Sequence, residues 1–106
     1  MEPASTQTTM IRSLKEDFGP VRSTVLFLSD RMKVVRLSLQ AEEALKEHRA
    51  PGPLVVQCLE GKVDFSVEGH PRQLQPGDLL HLASRETHAV HALEDSVLLL
   101  TIAPDK

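Results

Sequence analysis

Tryptophan and tyrosine are absent from this chain, and phenylalanine occurs only three times. The aromatic platforms on which single-stranded bases stack are therefore missing. A basic excess is missing too: 12 Lys and Arg stand against 15 Asp and Glu, giving a formal charge of -3 and a pI near 5.9. Duplex binding needs a clustered positive footprint, so no nucleic-acid partner is expected. The single cysteine, Cys58, rules out an internal disulfide, which suits a reducing compartment. No apolar run reaches the roughly 18–20 residues of a membrane-spanning helix. The polar start lacks the basic-then-apolar order of a secretory signal. No membrane partner is expected, and the expected location is cytoplasmic. Also missing are a nucleophile triad, a phosphate-cradling glycine loop and a paired-acid motif.

What is present suits one domain: 106 residues, 41% hydrophobic and 25% charged. Residues 9–18 carry Met10, Ile11, Leu14 and Phe18 on one side of a short helix that Gly19-Pro20 ends. Beyond it the helical period disappears. Residues 62–68 alternate, with Val63, Phe65 and Val67 on one face and Lys62, Asp64, Ser66 and Glu68 on the other, the period of a half-buried strand. Further strands are expected over 23–28, 32–39, 54–59, 72–74, 79–82, 88–92 and 96–102. Turns are expected at Glu60-Gly61, over 69–71 and at Gln75-Pro76-Gly77-Asp78. Residues 41–47 have helical composition but are too few to stand alone. Short strands at this spacing, with turn signals between them, indicate an all-β sandwich or closed barrel. The organisation read from this is an N-terminal segment over 1–31, a barrel over 32–102 and a tail over 103–106.

Two stretches carry a resemblance. Leu59-Glu60-Gly61-Lys62-Val63, followed by Gln75-Pro76-Gly77-Asp78-Leu79-Leu80 and then His88-Ala89-Val90, is similar to the small single-domain cupins. The resemblance spans about residues 32–102 and implies a cupin jelly-roll barrel (a double-stranded β-helix) with a short N-terminal helix. In the first cupin motif, counted back from Gly61, the glutamate position falls on Leu54; the histidine positions fall on His48 and Ala50 with the shorter spacing or on Glu47 and Arg49 with the longer, and the shorter, which keeps a histidine, is preferred and puts the opening glycine on Glu42. In the second motif Gly77 and His88 match. Ala83 stands at the proline, Arg85 at the second glycine and Ala92 at the asparagine. Of four metal-ligand positions, His48 and His88 remain.

A barrel of this kind implies a divalent metal (Fe, Mn, Ni, Zn or Cu) held by three or four converging ligands. Two histidines supply too few, so the metal is not the favoured reading, and His48 and His88 are read as polar groups at a pocket mouth. The pleat puts His91 and His81 on the other face from the pocket, and His70 in a turn. Leu54, Val56 and Cys58 share a face of one strand and, with Phe65, complete the pocket candidates. Cys58 is read as a small buried hydrophobe. Arg49 is either an anion contact or a surface charge. Three functions follow: binding of a small molecule in the barrel, metal-dependent dioxygenase or isomerase chemistry through His48 and His88, or a structural or regulatory dimer with a filled barrel. Homodimerisation is expected because 54–59 and 97–102 are apolar on both faces, leaving Val55, Leu59, Leu98, Leu100 and Ile102 to be covered. Gln57, polar in an apolar strand, would then meet a neighbouring subunit.

Overall fold

The computed structural model describes residues 22–104, so the helix expected over 9–18 lies outside the described residues. The described residues form nine strands and no helix: β1 (Arg22–Leu28), β2 (Lys33–Leu39), β3 (Ala44–Arg49), β4 (Leu54–Glu60), β5 (Val63–Val67), β6 (His70–Leu74), β7 (Leu79–Leu82), β8 (Thr87–Ala92) and β9 (Ser96–Ile102). None of them is therefore a helix able to cross a membrane. The strands make a five-stranded sheet in the order β1-β2-β9-β4-β7 and a four-stranded sheet in the order β3-β8-β5-β6, every pair antiparallel. After the β1–β2 hairpin the chain changes sheet at every connection except β5–β6. This is jelly-roll connectivity, and the inner faces of the two sheets enclose the core.

Alternation fixes most of the inward set. In β5, Val63, Phe65 and Val67 are buried between half-buried neighbours, and in β8 the buried residues are His88, Val90 and Ala92. Two local readings are corrected. Ala44–Arg49, which overlaps the 41–47 stretch of helical composition where no strand is expected, is a strand that pairs with β8 across an irregularity between Leu45 and His48. A helix so short has too few internal hydrogen bonds to form, while the open edge of β8 offers a ladder. His70 begins β6 instead of lying in a turn. The turn is Glu68-Gly69, both at positive φ (51° and 80°), a two-residue loop that puts Val67 opposite His70.

The third correction concerns the faces of β9. Residues directly opposite in an antiparallel ladder share a face. Leu54 stands opposite Ile102, Val56 opposite Leu100 and Cys58 opposite Leu98, so Leu98, Leu100 and Ile102 face the interior and not the outside. Three consecutive buried residues, Ser96, Val97 and Leu98, open β9, and a bulge interrupts β4 between Cys58 and Glu60. Together they hide the parity that simple alternation would give. The outer face instead carries Val55 beside Thr101 and His81, and Gln57 beside Leu99 and Leu79.

Three tight turns share one construction that the sequence does not advertise. In 40–43, 75–78 and 83–86 the fourth residue is acidic. Its carboxylate accepts the first residue's N–H (Gln40 to Glu43, 2.7 Å; Gln75 to Asp78, 2.9 Å; Ala83 to Glu86, 2.8 Å), and its own N–H donates to the first carbonyl. The third residue has positive φ each time: Glu42 at 74°, Gly77 at 96° and Arg85 at 68°. Glu42 and Arg85 are the positions where a motif glycine was expected and not found. The backbone keeps the left-handed conformation that glycine takes freely, and the reciprocal hydrogen bonds hold it there.

The barrel is closed at one end. Gly61, at φ 87°, sits where a Cβ would come within 2.3 Å of the Asp95 carbonyl and 2.7 Å of the Ser96 Cα. The buried Ser96 hydroxyl accepts the Lys62 N–H at 3.0 Å and donates to the Glu94 carbonyl at 2.7 Å. The β4–β5 and β8–β9 crossings are thereby packed against each other.

Candidate functional site

At the opposite end the sheets part around a cavity of about 170 Å³. Its wall is built from β1, β2 and β9 on one side and β3, β5 and β8 on the other. Val35, Leu37, Phe65, Val90, Leu100 and Ile102 make it apolar, and Leu45 stands at its edge. Among the described residues the polar side chains on it are Ser23, Lys33, His48 and His88. Lys33 reaches the inner face because it stands opposite Ile102.

His48 and His88 are direct partners across the β3–β8 ladder. Their rings meet edge to face, with centroids 4.2 Å apart and planes at 63°. His88 is 3% exposed and stacks on Phe65, centroids 5.6 Å apart and planes at 11°, whereas His48 is open to solvent at the rim. The two rings are fixed in the same way. His48 Nδ1 lies 3.0 Å from the Lys46 carbonyl, and His88 Nδ1 lies 3.2 Å from that of Glu86. A carbonyl only accepts, so each Nδ1 carries the proton. The neutral rings therefore hold their lone pair at Nε2. Burial pushes the pKa of His88 below its ordinary value of 6.5; the Glu86 carbonyl works against that shift, and neighbouring His48 adds to it. His88 is accordingly neutral at pH 7.

The other sequence candidates divide. Phe65 joins the two histidines on the cavity wall. Val56 and Cys58 are buried in the core and do not reach it, because β4 lies one strand beyond β9. Leu54 is buried as well, and where it meets a cleft it lines a separate groove with Met32, Pro53, Val55, His81 and Thr101. The Cys58 thiol leans on the Glu60 carbonyl at 3.5 Å. Burial, reinforced by the charge of Asp78, raises its pKa to about 11. It is neither a thiolate nucleophile nor a cavity group. His81 and His70 are exposed, and His91 points outward to Glu42 at 3.1 Å. Arg49 is exposed on β3 and lines no part of the cavity. The nearby Glu68 carboxylate accepts the Thr87 N–H at 2.6 Å and hydroxyl at 2.9 Å. These bonds, more than the charges of Arg49 and His70, hold its carboxyl below its ordinary range. Among the lining residues that sequence reasoning missed are Ser23 on β1 and Lys33, Val35 and Leu37 on β2. The signal for the last three was the alternation of β2, in which Lys33, Val35 and Leu37 share one parity.

The donor set does not fit a resident metal. Two imidazoles stand side by side, but Ala50 and Leu54 supply no donor at the remaining motif positions, and among the described residues no group of three His, Cys, Asp or Glu could hold an ion.

Comparison with known proteins gives the lineage. The family described as Cupin domain matches residues 35–103. Among solved structures, a conserved protein of unknown function from Streptococcus pyogenes, SPY1581, superposes with a TM-score of 0.81 at 17% identity, over 94% of this chain and 91% of that one. KdgF from Halomonas sp. superposes at 0.80 and 19%, over 95% and 96%. TT1209 from Thermus thermophilus superposes at 0.79 and 28%, over 89% and 96%. Among curated proteins none matches.

Proposed function

Because the chain belongs to the cupin domain family, we propose that it is a binding barrel that takes a small molecule into the cavity beneath His48 and His88. The family hosts many activities on one fold, so the site has to carry the argument. The observation that carries it is the cavity itself: about 170 Å³ of apolar wall with four polar side chains on it. Ligand sites have this composition, mostly apolar with a few placed polar groups. A barrel serving only as a structural unit would be filled there by side chains. Metal-dependent oxygenation or isomerisation through His48 and His88 would need at least one further protein donor.

The test is a fragment panel screened by ligand-observed NMR against the wild-type chain and a Leu45→Trp variant. Leu45 is half-buried at the cavity edge, so the larger side chain plugs the space without disturbing the closed core. Mutually competing binders that are lost in the plugged variant are expected. Binding unchanged by the plug would place the ligand elsewhere and end the proposal.

A further inference from the structure

Resting on the reading of this cavity as a binding site, we infer that its ligand is a small organic anion, a compact apolar body carrying one carboxylate-like head. The body follows from the wall. An apolar cavity of about 150 Å³ lined by such side chains accommodates benzene, so one of about 170 Å³ takes a single ring or a short branched chain.

The head follows from the charges. Lys33, His48, His88 and Ser23 are the polar lining, and among the described residues no carboxylate joins it, although the chain holds 15 acidic residues. Two acids at this end are engaged elsewhere, Glu68 with Thr87 and Glu86 with the Ala83 N–H, and Glu47, exposed beside His48 on β3, lines no part of the cavity. Among the described residues a cationic ligand would find no counter-charge in the cavity, and a neutral one would make no use of the lysine. An anion meets the ammonium of Lys33 and, when the imidazoles are protonated, donors at Nε2, since Nδ1 is already committed in both rings.

Binding is therefore linked to protons. The titratable neighbour of His88 is His48 from β3; among the described residues the cavity they share is lined further by Lys33 from β2 and Ser23 from β1, while β5 and β9 contribute only Phe65, Leu100 and Ile102. A bound anion favours the charged imidazole and raises its pKa above that of the free protein. Affinity is then greatest below the free-protein pKa and declines as pH rises through the bound-state value.

Benzoate, benzamide and benzylamine are matched in size and differ in charge. Titration calorimetry of the full chain with all three, at about pH 6 and about pH 8, separates the readings. Benzoate is expected to bind about tenfold tighter than benzamide, more tightly at the lower pH and with proton uptake. Benzylamine is expected not to bind. Lys33→Met keeps the aliphatic stem and should cost benzoate about tenfold while leaving benzamide unchanged; His88→Gln should flatten the pH dependence. Circular dichroism of each variant confirms that it is folded. Equal affinity for benzoate and benzamide, insensitive to Lys33→Met, would overturn the anion and leave the binding site standing. Preference for benzylamine would also overturn it. Failure of all three probes would overturn the site itself.

Discussion

Replacing Gly61 by alanine should be the most damaging single-methyl change in the barrel, for reasons that can be separated. The backbone there is at φ 87°, and a side chain in that region costs about 1–2 kcal/mol. The new Cβ would also lie 2.2 Å from Ser96 Oγ, 2.3 Å from the Asp95 carbonyl and 2.7 Å from the Ser96 Cα. A hydroxyl can rotate away, but the carbonyl and the Cα move only with the β8–β9 crossing. Overpacking of that kind costs about 1–3 kcal/mol. Turning the hydroxyl away leaves the Lys62 N–H without its acceptor, a further ~1–3 kcal/mol for a buried donor. The total, about 3–8 kcal/mol, is a large part of the ~5–15 kcal/mol that stabilises a domain. Gly77 is the control: its φ is 96°, yet a Cβ there meets nothing within 4 Å, so Gly77→Ala should cost only the ~1–2 kcal/mol of conformational strain. Without Trp or Tyr, urea unfolding is best followed by circular dichroism. The Gly61→Ala midpoint should fall by about 1 M or more beyond that of Gly77→Ala. Equal losses in the two variants would refute the close packing of the two crossings.

Four other outcomes are expected. His88 is pushed below its ordinary 6.5, so in that window the unfolded chain binds more protons; the stability from the neutral ring is present above about 6.5 and lost as pH falls through the folded value, and His88→Gln should weaken that decline in urea midpoints. Arg85→Gly should raise stability by about 0.5–1 kcal/mol, relief of left-handed strain exceeding the added chain entropy; destabilisation on urea unfolding would show that the turn exploits the side chain. Cys58, with its pKa raised to about 11 by burial, should resist a disulfide exchange reagent in the native protein and react at once in urea; a fast native reaction would mean the thiol is accessible. On the outer face of the five-stranded sheet Val55 and Leu99 are half-exposed and Leu79 is 58% exposed, and we propose that a second copy covers them. Light scattering should give twice 11.7 kDa and Leu99→Lys the single mass, whereas a wild-type monomer would remove the proposal.

Alternation made the fold legible wherever it was strict. Lys62, Asp64 and Ser66 against Val63, Phe65 and Val67 gave the orientation of β5, and the same parity put His88 inward and His91 outward. It failed where alternation itself fails. The buried run at the start of β9 and the bulge in β4 inverted the faces of Leu98, Leu100 and Ile102. In β3 a helix-favouring composition yielded to the open edge of β8. The site was half legible for a related reason. Parity says that Leu54, Val56 and Cys58 face inward, but not which inward strands border the cavity; that depends on the order of strands in the sheet, where β9 stands between β4 and β2. Lys33 escaped notice because a charged residue opening an apolar strand reads as its solvated end. Only the pairing with Ile102 turns it inward.

The central claim, that the cavity at the His48–His88 end receives a ligand, is tested most directly by methyl NMR of the 13C-labelled chain titrated with benzoate. Shifts should concentrate on Val35, Leu37, Leu45, Val90, Leu100 and Ile102, which line the cavity, with the ring signals of His88 and Phe65 moving in step. Val55, Leu79 and Leu99 on the outer face should stay still. Shifts confined to those outer methyls, or none at saturating benzoate, would contradict the claim.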